Sequence, residues 1–311
     1  MNCRSGIDED LLNRALRVRY DVLRLPECES RGINLLFRRD DLIDRHCSGN
    51  KYYKLYYNIR AAREAGCHTL VTAGGAWSNH LLATAYGAAQ HGLRARGVVR
   101  GQRPERLSDT LRDAQKAGME LKFVSRHEYL SLAQRSGAFR GEFYVPEGGA
   151  NEAGERGAEA LGQAIGATQD LSHACVCVPV GTGGTLSGLV RGLPENTLSL
   201  GFSVLKDGRA CSQLGTQLAP GHWRLLWGFH GKGYGRALPA PLLAFWRDFE
   251  RRHAIALDPV YTLKMLWGIE RLAALNYWPQ GTKVIAVHTG GLQGRRGFSQ
   301  VIDWPQPIMD V

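Results

Sequence analysis

No stretch of the chain approaches the roughly 20 consecutive apolar residues that cross a bilayer. The polar start MNCRSGIDEDLLNRALRVRY, with Asp8, Glu9 and Asp10 near its middle, also lacks the apolar core of a secretory signal. Together these absences give the expectation of a cytoplasmic protein with no membrane partner. Cysteine is present but unframed. The seven thiols, Cys3, Cys28, Cys47, Cys67, Cys175, Cys177 and Cys211, are odd in number and irregular in spacing, which argues for reduced cysteines rather than a disulfide scaffold. Cys175 and Cys177 alternate within ACVCVPV as one face of a buried strand. No further ligands at suitable spacing accompany them, so no metal site is expected. Positive charge is not concentrated either. The net charge of +10 is mostly arginine, spread through RALRVRY, RARGVVRGQRPERL and RGLPEN without interleaved aromatics, so nucleic acid is not an expected partner. Repeats and low-complexity tracts are also missing.

What is there is a globular composition: 311 residues, 44% apolar and 22% charged, enough for about two domains. Leucines, valine and alanine near helical spacing, with Asp8 and Glu9 at the start, predict a helix over residues 8–24. GINLLFRRDD reads as a strand. From Lys51 the pattern alternates. KYYKLYYNIRAAREAG, SNHLLATAYGAAQHG and residues 108–117 read as helices, and CHTLVTAGG, LRARGVVRG and MELKFVS as strands. Later HACVCVPV, LSLGFSVL and TKVIAVHTGG read as strands, and TLSGLVRGL as a helix. This order predicts an α/β protein with two open, mainly parallel twisted sheets flanked by helices. YVPEGGANEAGERG, residues 144–157, is the expected domain crossing.

Five segments carry chemistry. In Ser48-Gly49-Asn50-Lys51, a lysine sits where a helix begins; partial burial and the helix terminus lower its pKa toward that of a nucleophilic amine. A neutral amine condenses with an aldehyde, which makes pyridoxal phosphate the cofactor to consider. In open parallel sheets ligands bind beyond the strand ends, where glycine turns feed helix N-termini. Gly181-Thr182-Gly183-Gly184-Thr185 has that form and can cradle a phosphate through its amides, although a tight turn without ligand is an alternative. It has neither the ending of a nucleotide P-loop nor GxGxxG spacing. Gly74-Gly75-Ala76-Trp77-Ser78-Asn79-His80 again joins strand to helix; Ser78 reads first as an N-cap, and its hydroxyl with Asn79 could hold a carboxylate. Asp258-Pro259-Val260-Tyr261-Thr262 and His288-Thr289-Gly290-Gly291 place hydroxyls at a helix start and a strand end.

In order, RRDDLID, SGNKYYKL, GGAWSNH, YVPEGGANEAGERG, VGTGGT, LDPVYTLK and HTGGLQG resemble the D-cysteine desulfhydrase and 1-aminocyclopropane-1-carboxylate deaminase family, pyridoxal-phosphate enzymes of the tryptophan-synthase β fold, or fold type II. The resemblance spans residues 38–294. It implies that Lys51 is the Schiff-base lysine and that Lys54 helps neutralise the cofactor phosphate. By the same resemblance, Gly181, Thr182, Gly183, Gly184 and Thr185 bind that phosphate, Asn79 meets the phenolic oxygen and Thr289 the ring nitrogen. Ser78, Asn79, His80 and Trp77 lie at the substrate, and Ser78 or Tyr261 assists proton transfer. A larger cofactor-binding domain is expected from residues 1–50 and 146–311, a smaller α/β domain from 51–145, and a homodimer.

The deaminases of this family resemble DPVYEGK and HLGG. This chain has Thr262 in place of that glutamate and Thr289 in place of that leucine. A hydroxyl leaves the ring nitrogen largely unprotonated, enough of an electron sink to expel thiolate but a weak one for opening a cyclopropane. The expected reaction is therefore α,β-elimination from D-cysteine or a similar small amino acid. The alternatives are cyclopropane deamination, β-replacement or racemisation of serine-like substrates, and a non-catalytic protein binding pyridoxal phosphate or nucleic acid. Leu263, Trp77 and Ser48 depart from the family pattern and bear on pocket shape.

Overall fold

The computed structural model describes residues 6–206, 214, 218–219, 221–231, 233 and 237–298. Cys3 and Cys211 lie outside them; Cys28, Cys47, Cys67, Cys175 and Cys177 are free and buried. The chain begins with α1 (Glu9–Leu16), β1 (Tyr20–Leu23), α2 (Pro26–Ser30) and β2 (Asn34–Arg38). Next come α3 (Asn50–Glu64), β3 (Thr69–Gly74), α4 (Asn79–Gln90), β4 (Arg94–Arg100), α5 (Asp109–Lys116), β5 (Met119–Val124) and α6 (Arg126–Leu132). A hairpin of β6 (Gly137–Phe139) and β7 (Glu142–Val145) leads to α7 (Glu152–Thr168), β8 (Ala174–Val180), α8 (Gly184–Gly192), β9 (Leu198–Ser203) and β10 (Trp223–Leu226). The described part closes with α9 (Ala240–His253), α10 (Thr262–Ala274) and β11 (Lys283–Val287).

Two sheets result. One has six strands in the order β1-β2-β11-β8-β9-β10, the other five in the order β5-β4-β3-β7-β6. Each carries one antiparallel pair, β1–β2 and β6–β7, and is otherwise parallel. The central strands are buried on both faces, as in β3 and β8, because helices cover each side.

The helix expected over residues 8–24 is shorter. It stops at Leu16, and Tyr20–Leu23 forms β1 instead. RYDVL carries the aromatic and β-branched residues that suit a pleated edge, and Tyr20 pairs with Arg38 in antiparallel register. The expected crossing at 144–157 comprises the end of β7, a short turn at Glu147–Gly149 and the start of α7.

Helix α3 lies where the two cores meet. Tyr53 and Tyr57 pack with α7 and β8, whereas Leu55, Ile59 and Ala62 pack with α4 and β4. Its backbone runs so close to α7 that a Cβ on Gly157 would sit 1.9 Å from the Tyr53 carbonyl oxygen. A buried ionic network fixes its start. Arg38, fully enclosed, donates through Nε to Asp40 Oδ2 at 3.0 Å and through Nη2 to the Ala15 carbonyl at 2.6 Å. Tyr53 donates its hydroxyl to the other oxygen of Asp40 at 2.5 Å. The RRDD motif thus joins α1, β2 and α3 before any substrate is considered.

Candidate active site

Lys51 occupies the first turn of α3, behind Gly49 in a left-handed conformation (φ +64°). Only glycine fits there, since a Cβ would lie 2.0 Å from the Thr289 carbonyl oxygen. That carbonyl accepts from Asn50 N at 3.3 Å, which brings buried Thr289 at the end of β11 against the start of α3. Lys51 Nζ donates to Asn50 Oδ1 at 2.9 Å, and Asn50 Nδ2 donates to Thr185 Oγ1 at 2.8 Å. Asn50 therefore couples the amine to the glycine loop, a role the sequence reading missed although it stands beside the lysine. Lys51 keeps some solvent contact, yet burial of the amine pushes its pKa down to about 8 against the opposing pull of Cys47 and Asp258.

One turn on, Lys54 is buried and donates to the Gly148 carbonyl at 2.7 Å. Burial, then the neighbouring Lys51 charge, lower its pKa to about 7; Glu155 opposes them. The Gly181–Thr185 loop begins at Tyr261 and ends at this lysine. A Cβ on Gly181 would sit 3.2 Å from the Tyr261 ring, and one on Gly184 would sit 3.1 Å from Lys54 Nζ. Gly183 has φ +93° and caps α8 without a side chain, so no capping side chain takes up the first amides of that helix. Thr182 packs beside Gly148, 3.2 Å from where a Cβ would be.

The segment before α4 supplies the opposite wall. Ser78 is the N-cap, its Oγ accepting from Leu81 N at 3.2 Å. That leaves its O–H free to donate. The His80 side chain turns inward, its Cε1 3.4 Å from where a Cβ on Gly149 would stand and beside Lys54. It is 3% exposed and neither ring nitrogen has a hydrogen-bond partner. Burial, then Lys51 and Lys54, hold it neutral far below the ordinary histidine pKa, with Pro146 weakly opposing. Trp77 and Asn79 line a cleft with Tyr261, Asp258 and Gly291.

Asp258 is a second residue that the sequence reading passed over. Its carboxylate accepts from the amides of Val260 at 3.1 Å, Tyr261 at 2.7 Å and Thr262 at 2.7 Å, which shapes the turn presenting Tyr261. Burial raises its pKa against those bonds. The local signal was available, because Asp before Pro opens a side-chain-to-backbone turn. Among the described residues no cluster of His, Cys, Asp or Glu could hold a metal ion.

These groups suit a compact phosphate bearing an aldehyde. A Cβ at Gly184 would meet Lys54 Nζ at 3.1 Å, so only a glycine leaves that approach to the ammonium open, and the His80 ring nitrogens beside it have no partner. A site of this kind belongs to enzymes that use an amine and a phosphate-bearing cofactor at the edge of a parallel sheet.

The match to known proteins narrows that class. Residues 19–290 match the model of the pyridoxal-phosphate dependent enzymes, and the chain belongs to that family. It is 30% identical over 292 residues to a protein of Thermotoga maritima assigned provisionally as a 1-aminocyclopropane-1-carboxylate deaminase, covering 86% of this chain and 91% of that one. It is 28% identical over 290 residues to a D-cysteine desulfhydrase of Yersinia enterocolitica, covering 84% and 87%. Among solved structures, a homologue of 1-aminocyclopropane-1-carboxylate deaminase superposes with a TM-score of 0.76 at 24% identity, covering 94% of this chain and 98% of that one. The fold is that of the type II, tryptophan-synthase β-like enzymes. The protein is a pyridoxal-phosphate dependent enzyme of the cyclopropane deaminase and D-cysteine desulfhydrase group, whose members are lyases.

Proposed function

We propose that the protein catalyses α,β-elimination from a small β-substituted amino acid, D-cysteine first, releasing sulfide and, after hydrolysis by one water, pyruvate and ammonia. The observation that carries this reading is buried Thr289 at the end of β11, tied through its carbonyl to the helix that bears Lys51. Thr262, where the deaminases resemble a glutamate, is buried at the start of α10 and supports the same choice. Bound pyridoxal phosphate supplies an aldehyde for the lysine and an electron sink for the α-carbon.

In this reading Lys54 and the amides of Gly181–Thr185 hold the phosphate, Asn79 donates to the phenolic oxygen and Thr289 faces the ring nitrogen. Lys51 takes the α-proton. Its depressed pKa of about 8 leaves a useful fraction of neutral amine near neutral pH. Ser78, with a free O–H, and Tyr261 supply a proton at the leaving group, while Trp77, Ser78, Asn79 and His80 bound the substrate. His80 packs against Lys54 and Gly149 as a neutral ring that adds no charge of its own. The smaller unit would span residues 51–145, and the larger 1–50 with 146–311.

The test is product analysis. Purified protein is given D-cysteine, L-cysteine, D-serine, β-chloro-D-alanine and the cyclopropane amino acid, and pyruvate and 2-oxobutyrate are measured. Pyruvate from D-cysteine at the highest kcat/KM supports the reading. Turnover of the cyclopropane amino acid alone would show that the two threonines do not choose the reaction.

A further inference from the structure

The segment after β11 crosses the cleft as a strap. His288 Nδ1 accepts from Gly290 N at 3.2 Å, and Gly290 and Gly291 turn with φ of +73° and +85°. The chain then runs as a short 3-10 turn over Leu292–Phe298. It is pinned on both sides. Arg296 pairs with Asp113 of α5, while Arg295 donates from Nη2 to Glu250 Oε2 at 2.9 Å and from Nη1 to the Leu257 carbonyl at 2.9 Å. On either side of these anchors the strap presses on Asn79, at the start of α4, and on Trp77 just before it. A Cβ on Gly291 would stand 1.9 Å from Asn79 Nδ2, and one on Gly297 would stand 3.2 Å from the Trp77 ring.

Gln293 lies in the pinned stretch, and its Nε2 donates to Asn79 Oδ1. A carboxamide has one acceptor end and one donor end. With its oxygen engaged by Gln293, Asn79 turns its NH2 group toward Gly291, on the wall of the cleft that both residues line. No described residue accepts from that group. We propose that Gln293 is a positioning residue that sets the polarity of the Asn79 amide, so that Asn79 donates to, rather than repels, the phenolic oxygen of the cofactor. The reversed amide would turn a carbonyl lone pair toward an anionic oxygen. The proposal rests on the assignment of Asn79 given above and adds the residue that enforces it.

The experiment uses the holoenzyme and reads the visible cofactor band against pH, with cofactor affinity from dialysis and back-titration. Gln293→Glu keeps the shape and can accept but cannot donate when ionised. Gln293→Ala removes the donor without adding charge. Both are expected to weaken cofactor retention roughly tenfold, the effect of one hydrogen bond to a charged group. Both should move the pH midpoint of the band by about one unit, in the direction given by Asn79→Ala. The Asn79→Ala/Gln293→Ala double variant should add nothing to Asn79→Ala, since Gln293 acts only through Asn79. A Gln293→Glu spectrum identical to wild type means that Gln293 accepts from Asn79 and overturns the proposal. So does a shift in Gln293→Glu absent from Gln293→Ala, which is a charge effect, or an additive double variant. If Asn79→Ala itself is spectrally silent, the placement of Asn79 at the phenolic oxygen fails, independently of Gln293.

Discussion

At the scale of single residues, two lysines three positions apart do different work because burial acts on them with different neighbours. Lys51 hydrogen-bonds a side-chain amide and keeps a path to solvent; Lys54 is enclosed against a carbonyl and the glycine loop. Lys51→Ala should abolish the covalent attachment of cofactor, seen as failure of borohydride to fix it to the protein. Elimination should fall by roughly 10²–10⁴-fold, the span of a lost general base. Lys54 gives a pH prediction. Its pKa is lowered to about 7, so above that pH the cofactor-free protein must take up a proton to place an ammonium beside a phosphate dianion. Phosphate affinity, measured by calorimetry with inorganic phosphate, should therefore weaken as pH rises above about 7, approaching about tenfold per unit. Proton uptake should appear as buffer-dependent heat. Lys54→Met should bind weakly with most of that slope gone. A slope unchanged in the variant would assign the proton elsewhere.

At the scale of elements, α3 is the piece on which the site depends, and its packing was only partly legible in the sequence. Strand, glycine turn and helix could be read for β3–α4 and β8–α8, because apolar runs and glycines are local signals. The residues 20–23 could not, since a short alternating run also fits a helical period and what settles it is pairing with β2, distant in the chain. The same limit hid Gln293, whose partner Asn79 lies 214 positions away. Asn50 was hidden differently: its place beside Lys51 was visible, its bond to Thr185 was not. The seven motifs located the groups; the contacts between motifs required the fold. Packing of α3 on α7 can be tested with Gly157→Ala, which would force backbones apart at a 1.9 Å contact. Overpacking of this kind costs about 1–3 kcal/mol or more, read as a lower urea midpoint, with cofactor loss preceding global unfolding. Arg38→Met should be worse, roughly 3–5 kcal/mol, because it leaves buried Asp40 without its cationic partner.

At the scale of the whole molecule, two sheets with glycine turns at their strand ends bring five distant segments into contact around α3 and the strap after β11. That arrangement explains why the chemistry is legible as a family while the substrate depends on a few positions. Relatives bear both deaminase and desulfhydrase names at similar identity, so overall likeness does not choose between them. In the proposed reading the choice rests on Thr289 and Thr262. The most direct measurement is the kcat/KM ratio for pyruvate from D-cysteine against 2-oxobutyrate from 1-aminocyclopropane-1-carboxylate, on one preparation with saturating pyridoxal phosphate. The account predicts a ratio far above one, with pyruvate formation lost in Lys51→Ala. A ratio below one would contradict it, and would mean that a hydroxyl at residue 289 suffices for ring opening.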